Sequence, residues 1–340
     1  MWRGITAFNL LAQLAAGDTA AVDRYLSWAA SEHLTVLRVL SMAKHLFDLS
    51  PQTGRRHLDD LLTRAAARGL YVEVIALADT AEITVPLDEQ VRAIGEIAAR
   101  HPNAIVELAN EPYHATQRSE VNDLKALSAL LALVPDPVPV AVGAADEPGR
   151  VSVGDFITHH FPRSSGAGGW GHVRDLILGR ELLARVRKPV INDEPVGAGA
   201  VTVPGRRDAE PARFETAALL TRMIGMGATF HYEGGMQARI PDGRELECFR
   251  AWQAAWRHLP SDIETSGVFR LPGEPGAAVV RVDGAGVGAW EVQAGNDVWV
   301  LIARPAGDRA VRWAEGWRET GSTAIGAGQA ELKRGARRQP

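Results

Sequence analysis

Cysteine is almost absent from this chain of 340 residues, because Cys248 is its only one. A single thiol can build neither a disulfide framework nor the multi-cysteine ligand set of a structural zinc site. The sequence therefore excludes the small disulfide-stapled folds and the zinc-finger classes. We expect Cys248 to be a buried, unreactive thiol.

The chain also lacks an excess of basic charge and long apolar runs. Its formal net charge of -4 gives no reason to expect nucleic acid as a partner. No segment approaches the roughly 18 uninterrupted apolar residues of a membrane span. Met1 is followed at once by a strand-like run rather than a secretory signal, so we expect a cytoplasmic protein. The sequence gives no indication of the oligomeric state.

What the chain does contain is a regular alternation of short apolar runs and amphipathic segments. Asp18–Ser31, for example, places apolar residues at the spacing of one buried helix face. Eight such βα repeats match a (β/α)8 barrel in number and size. The expected barrel strands are Gly4–Phe8, Thr35–Ser41, Tyr71–Ala78, Ala104–Ala109, Val138–Gly143, Phe156–His160, Pro189–Asn192 and Ala228–Tyr232.

An open, doubly wound sheet is the competing architecture. It usually carries a Gly-rich phosphate loop after its first strand. Here the first strand is followed by Asn9 and an apolar run, without a G-x-G-x-x-G motif. The sequence therefore favours the barrel.

After Pro260 the helical periodicity stops and strand-like runs separated by turn residues follow. We predict a catalytic barrel over residues 1–262, a small antiparallel β domain over 263–332 and a solvated basic tail over 333–340.

Two glutamates stand at the ends of predicted barrel strands. Glu111 follows the fourth strand in the sequence Asn-Glu-Pro, and Glu194 follows the seventh and also precedes a proline. Because active sites of such barrels lie at the carboxyl ends of the strands, both side chains are expected at the same rim. One carboxylic acid and one carboxylate are what cleavage of a glycosidic bond requires, without a metal or an organic cofactor. Glu107, in mid-strand, is interpreted as structural, and strand alternation is expected to point Asp193 away from Glu194.

The run IVELANEP at residues 105–112, together with Glu194, resembles the clan A glycoside hydrolases, the cellulase-like superfamily that includes family 5. The resemblance covers residues 2–260. It implies that Glu111 is the general acid/base and Glu194 the nucleophile. It further implies that Asn110 binds the sugar 2-hydroxyl and that Arg38, on the second strand, orients Glu194 and keeps it ionised.

The same resemblance places a histidine of the sixth strand in a sugar subsite, and the sequence leaves His159 and His160 as alternatives. The chain departs from the family pattern in three places. Phe161 stands where many members have a tyrosine that touches the nucleophile, the third strand ends in Asp79 where many members place a histidine nearby, and the eighth strand lacks the usual tryptophan.

Four further residues are candidates for substrate contact. His231 and Tyr232 are possible substitutes for the missing tryptophan on the eighth strand, and Glu233 lies near its rim. Trp170 lies in a Gly-rich loop after the sixth strand and could stack on a sugar ring.

These features predict a retaining glycosidase acting on a β-linked oligosaccharide or glycoside by double displacement. A catalytically inactive carbohydrate-binding barrel is the alternative, because of the missing tyrosine and tryptophan. A metal site is not expected, because the first strand lacks the His-x-His of barrel amidohydrolases.

Overall fold

Eight parallel strands form one nearly closed barrel in the computed structural model of the protein, which describes residues 1–143, 153–200, 202–274, 278–284, 286–303 and 310–338. The barrel strands are β1 Arg3–Thr6, β2 Val36–Leu40, β3 Tyr71–Leu77, β4 Ala104–Ala109, β5 Val140–Ala141, β6 Ile157–Thr158, β7 Val190–Asn192 and, after the short strands β8 Gly197–Ala198 and β9 Arg207–Asp208, β10 Gly227–Phe230. Their order in the sheet is β5-β4-β3-β2-β1-β10-β7-β6. The predicted (β/α)8 barrel is thereby confirmed.

Helices follow several of the barrel strands, and α2 confirms the helix predicted over Asp18–Ser31. Their bounds are α1 Leu10–Ala15, α2 Thr19–Ser31, α3 Pro51–Ala66, α4 Leu87–Ala98, α5 Ser119–Asn122, α6 Leu124–Leu131, α7 Gly171–Arg174, α8 Leu178–Val186, α9 Pro211–Ile224, α10 Gly243–His258 and α11 Ile263–Ser266. The segment between β4 and β5 contains two short helices, α5 and α6. Asp123 separates them because its side chain accepts a hydrogen bond from the backbone of Ala126 and so begins α6.

Helix α3 shows how the sequence specifies an element. The Ser50 hydroxyl caps the helix by accepting from the Thr53 amide, and Pro51 occupies the first turn, where a missing N–H costs nothing. Leu58 and Leu62 lie on the buried face. Strand β2 is buried along its whole length, so that every side chain on it, including a charged one, is removed from water.

After residue 262 the chain forms antiparallel sheets, as expected. The strands are β11 Val268–Arg270, β12 Val280–Asp283, β13 Gly288–Ala294, β14 Asp297–Ala303, β15 Ala310–Trp313, β16 Trp317–Ile325 and β17 Ala330–Arg337. Five of them pair in the order β11-β13-β14-β17-β16, and β12 pairs with β15.

The predicted basic tail at residues 333–340 needs correction. Lys333, Arg334 and Arg337 belong to β17, which pairs with both β14 and β16. The buried Ala330 and Leu332 alternate with the partly exposed Glu331 and Lys333, which is a strand pattern with one solvated face. The prediction of a tail rested on the basic charges alone.

The chain divides into two compact units. One comprises Met1–His160, Leu183–Pro195 and Gly227–Pro241, and contains all eight barrel strands; the other comprises Phe161–Leu182, Val196–Met226 and Asp242–Pro340. This division does not follow the predicted boundary at residue 262, which stays a prediction. Among the described residues, no helix combines the length and the apolar character needed to cross a bilayer.

Gly54 in α3 provides a test of this packing. A Cβ added there would lie 1.8 Å from the carbonyl oxygen of Ser41, which follows β2. We expect Gly54→Ala to destabilise the protein by about 1–3 kcal/mol, because overpacking outweighs the better helix propensity of alanine. Urea unfolding measures the change, with Gln52→Ala at an exposed position of the same helix as control. A Gly54→Ala variant as stable as wild type would contradict the close contact of α3 with the end of β2.

Candidate active site

Glu111 and Glu194 meet at the carboxyl end of the barrel. Strand β4 ends at Ala109 and β7 at Asn192, so that each glutamate lies two residues beyond its strand. One carboxylate oxygen of Glu111, one of Glu194 and a ring nitrogen of His160 all lie within 4.8 Å of one another. Glu111 has a positive φ of 42°, which is uncommon for a residue with a side chain and typical of functional sites.

Arg38 is the centre of the hydrogen-bond network below these glutamates. Its side chain is 1% exposed. Nη1 donates to Oε2 of Glu194 at 2.7 Å, and Nη2 donates to Oδ1 of Asn110 at 3.0 Å and to Oε1 of Glu107 at 3.1 Å. The guanidinium carbon also lies 5.3 Å from the centre of the Phe8 ring. One guanidinium thus connects the residues that follow β4 and β7.

The charge of Arg38 is secured by its surroundings. Burial alone lowers the pKa of a guanidinium, but the carboxylates around Arg38 raise its pKa well above the usual value. Arg38 is therefore a permanent cation inside the barrel. A buried cation of this kind requires charge partners.

His160 is the histidine that the structure places between the two glutamates. Its Nδ1 lies 3.0 Å from Oε1 of Glu111, and its Nε2 lies 3.8 Å from Oε2 of Glu194 and 3.6 Å from Oδ2 of Asp193. Burial lowers the pKa of His160, but the negative charges of Asp193 and Glu194 outweigh burial and raise the pKa to about 10. His160 is therefore positively charged at neutral pH. His159 is half-buried, its backbone N–H donates to Ile191, and its part in substrate binding stays a prediction.

The expectation that Asp193 points away from Glu194 is wrong. Oδ2 of Asp193 lies 3.1 Å from Nη2 of Arg38, the guanidinium that also binds Glu194. The alternation of side chains applies within a strand, and β7 already ends at Asn192. Burial raises the pKa of Asp193, but Arg38 and His160 outweigh burial and lower it to about 2, so that Asp193 is ionised.

Two more carboxyl groups of this cluster were missed or set aside by the sequence analysis. Glu73 on β3 and Glu107 on β4 are both fully buried. Glu73 lies opposite Arg38 in the register of β2 and β3, and its carboxylate is 3.7 Å from Nε of Arg38. A charged residue in the middle of three successive apolar strands is the signal that could have revealed this cluster.

Tyr113 is a further residue that the sequence analysis did not single out. Its hydroxyl lies 3.4 Å from Oε1 of Glu111, and the residue is 43% exposed. An exposed aromatic residue directly after Asn-Glu-Pro is the pattern that could have indicated it.

The residues after β10 differ in their access to a substrate. Tyr232 is fully buried, and its hydroxyl contacts the Tyr25 hydroxyl at 3.0 Å and the backbone of Arg239. The prediction of substrate contact is therefore wrong for Tyr232, because both its ring and its hydroxyl are used inside the protein. His231 is buried with Nδ1 2.9 Å from the Thr6 hydroxyl, and Glu233 is exposed; for both, substrate contact stays a prediction.

Trp170 also needs correction. The residue immediately precedes α7 and is 1% exposed. A side chain buried to this extent offers no ring face to a sugar. The glycines of the preceding loop, with positive φ at Gly168 and Gly169, do not present Trp170 to solvent.

The cluster contains donor types that also bind divalent cations. Glu111, His160 and Glu194 form one such group, and Glu73, Glu107 and Asp193 another. The charged His160 belongs to the first group and the guanidinium of Arg38 lies beside the second, so that both already contain or contact a cation. The expectation that no metal is needed stays a prediction.

No protein-family model matches the chain, and no curated protein matches it significantly. Solved structures do match. One described as a glycoside hydrolase has a TM-score of 0.61 at 12% identity and covers 99% of this chain and 92% of its own. A glycoside hydrolase family 5 structure from Bacteroides vulgatus has a TM-score of 0.57 at 12% identity and covers 99% of this chain and 88% of its own.

A GH5_18 structure from Streptomyces cattleya, in complex with GlcNAc, has a TM-score of 0.55 at 17% identity and covers 76% of this chain and 80% of its own. At these identities the similarity is one of fold. It confirms the predicted barrel architecture and the structural resemblance to glycoside hydrolase family 5.

Proposed function

We propose that the protein is a retaining glycosidase that cleaves a β-linked glycoside with Glu111 and Glu194. The observation that supports the proposal best is the short separation of these two groups, with an oxygen of each within 4.8 Å. Retaining enzymes hold their two carboxyl groups about 5–5.5 Å apart, whereas inverting enzymes need about 6.5–9.5 Å to admit a water molecule. The observed separation favours double displacement.

Glu194 is the nucleophile in this proposal. Its Oε2 accepts a hydrogen bond from Nη1 of Arg38 at 2.7 Å, and the charged His160 lies near the same oxygen. Both cations favour the carboxylate form. The ionised Glu194 attacks the anomeric carbon and forms a covalent glycosyl-enzyme, which water later hydrolyses.

Glu111 is the acid and then the base. Its Oε1 lies at hydrogen-bond distance from Nδ1 of the charged His160, which donates to it, so that Oε2 is left to carry the transferable proton. This oxygen protonates the leaving group in the first step. In the second step the same carboxyl group takes a proton from the attacking water.

Asn110 binds the sugar in this proposal. Its Oδ1 accepts from Arg38, and this contact orients the side-chain amide so that Nδ2 serves as the donor toward the substrate. The 2-hydroxyl of the sugar is the acceptor expected at this position. The substrate is a carbohydrate, in keeping with the glycoside hydrolase neighbours and with the GlcNAc bound to one of them.

The first prediction concerns the nucleophile. We expect Glu194→Ala to lower kcat by about 10⁴-fold or more while the circular dichroism spectrum and the melting temperature stay near wild type. The measurement is hydrolysis of a panel of 4-nitrophenyl β-glycosides. Glu96→Ala, at an exposed position of α4, is the control and should leave turnover unchanged. Near-normal turnover by Glu194→Ala would show that the nucleophile has been assigned wrongly.

The second prediction concerns stereochemistry and the acid. Proton NMR of a reaction in progress should show the β-anomer of the product first. Glu111→Ala should lower kcat/KM by about 10²–10⁴-fold for substrates with poor leaving groups and much less for nitrophenyl glycosides, which need little protonation. An α-anomer as first product would contradict double displacement. Oligosaccharide binding without turnover across the panel would instead support the alternative, a binding barrel.

The third prediction uses the charge of His160. The pKa of His160 is raised to about 10 in the folded protein, so that its contribution to stability is fully present below about pH 6.5 and is lost as the pH rises toward 10. We expect His160→Gln to cost about 3–5 kcal/mol at pH 6 and progressively less between pH 7 and 10. Thermal unfolding across this range tests it, with His45→Gln, at an exposed position, as control. A stability gap that does not change with pH would mean that His160 is neutral in the folded protein.

A further inference from the structure

The carboxyl groups inside the barrel outnumber the cations available to them. Arg38 and His160 supply two positive charges. Five carboxyl groups surround them, namely Glu73, Glu107, Glu111, Asp193 and Glu194. In the proposed function Glu111 is protonated, and Asp193 and Glu194 balance the two cations. The charges of Glu73 and Glu107 are then uncompensated, although both residues are 0% exposed.

The geometry brings these two groups together. Arg38 and Glu73 are partners in the register of β2 and β3, and Glu107 lies opposite Ile75, two residues further along β3 than Glu73. Glu73 and Glu107 therefore share one face of the sheet. One oxygen of Glu73, one of Glu107 and one of Asp193 lie within 4.8 Å of one another.

Within the described part of the chain, the oxygens of Glu73 and of Asp193 accept no hydrogen bond from a donor group. Asp193 nevertheless lies 3.1 Å from Nη2 of Arg38, whereas the ion-pair contact of Glu73, with Nε of Arg38, is long at 3.7 Å. Glu73 is therefore the acid of this cluster with the weakest contact to Arg38. Glu107, in contrast, accepts from Nη2 of Arg38 at 3.1 Å. A buried carboxylate without donors is costly, and a proton on Glu73 removes that cost.

We propose that Glu73 is a protonated carboxylic acid that donates a hydrogen bond to Glu107, and that this buried carboxyl pair positions Arg38 against Glu194. Because a protonated Glu73 does not repel Glu107, the Glu107 carboxylate accepts one hydrogen bond from Glu73 and another from one nitrogen of the Arg38 guanidinium. The other nitrogen is thereby directed to Glu194. Glu73 is a positioning residue, since it acts through Glu107 and Arg38 and touches no reacting atom.

The charged groups that face Glu73 agree with a shared proton. Arg38 faces it from β2, Glu107 from β4, and Asp193 from the segment after β7. Burial and the negative charge of Glu107 raise the pKa of Glu73 well above its usual range, and Arg38 opposes them only in part. Burial raises the pKa of Glu107 and the charge of Arg38 lowers it, and the resulting pKa is about 7. At neutral pH the pair thus retains at least one proton.

The effect of the Glu73–Glu107 pair on turnover rests on the proposed glycosidase function, but the protonation of the pair does not. The first test therefore measures the stability of the folded protein as a function of pH. A carboxyl group whose pKa is raised on folding contributes less stability as the pH rises above its unfolded pKa of about 4.3. Glu73→Gln keeps a hydrogen-bond donor for Glu107 and removes the titration. Its melting temperature relative to wild type should increase by at least about 3 °C between about pH 5 and pH 9.

The control is Glu96→Gln on the exposed face of α4, which should show no such trend. A Glu73→Gln difference that is constant, or that falls as the pH rises, would overturn the proposal, because Glu73 would then be ionised in the folded protein. Glu107→Gln should behave differently, with a fall in kcat of about 10-fold or more, since Arg38 loses an anionic partner.

A second measurement covers the case in which Glu73→Gln does not fold. With ¹³C-labelled glutamate, the infrared spectrum at pH 8 should show the carbonyl band of a protonated glutamic acid both in the wild type and in Glu111→Gln, which removes the contribution of Glu111, and Glu73→Gln should reduce the band. A Glu111→Gln spectrum without that band would refute the proposal. If the protein proves to be a glycosidase, the alkaline limb of kcat/KM should move to higher pH in Glu73→Gln. If no glycoside is cleaved, the stability and infrared results still decide the protonation of Glu73.

Discussion

The structure of the barrel interior depends on one buried cation. Arg38 lies on a strand that is buried along its length, so that its charge cannot be satisfied by water. Four carboxyl groups from three separate places in the chain surround it, namely Glu73, Glu107 and the pair Asp193 and Glu194. Because each can approach the guanidinium only if its strand is correctly placed, the ion-pair network couples the register of the barrel to the geometry of the two glutamates at its rim. Glu194 is thus held from the barrel interior by a buried guanidinium with several charged partners.

His160 extends the same principle to the rim. Many members of the clan A glycoside hydrolases, which the sequence resembles, carry a tyrosine after the sixth strand, whereas this chain has Phe161. In this structure a charged imidazole lies between Glu111 and Glu194 and contacts both. A cation at that point favours an ionised Glu194 and fixes one oxygen of Glu111. The electrostatic demand of the proposed chemistry is therefore met without the tyrosine hydroxyl.

Much of the fold and part of the site could be predicted from sequence, and the limits have physical causes. The periodicity of apolar residues indicates which face of a strand or helix is buried, and from it the barrel could be predicted. The ends of the predicted strands then placed Glu111 and Glu194 at the barrel rim. Exposure of individual aromatic residues depends on how a loop folds over them, which explains why Trp170 and Tyr232 were assigned wrongly. Asp193 was misjudged because strand alternation was extended past the end of β7. Basic residues after residue 332 resembled a tail, since a strand with one solvated face can be rich in charge.

The polar interior is difficult to explain by stability alone. Replacing buried ion pairs with well-packed apolar residues is often neutral or stabilising by about 1–4 kcal/mol, and barrel interiors are usually filled with branched apolar side chains. A chain selected only for folding would therefore be expected to place apolar residues at positions 38, 73 and 107. Glu111 also holds an uncommon backbone conformation, which costs of order 1–3 kcal/mol. The buried charges and the backbone conformation of Glu111 both lower stability. Both belong to one connected network of side chains that ends at the carboxyl groups of Glu111 and Glu194. The convergence of these costs on Glu111 and Glu194 supports the catalytic roles proposed for them over a passive binding scaffold.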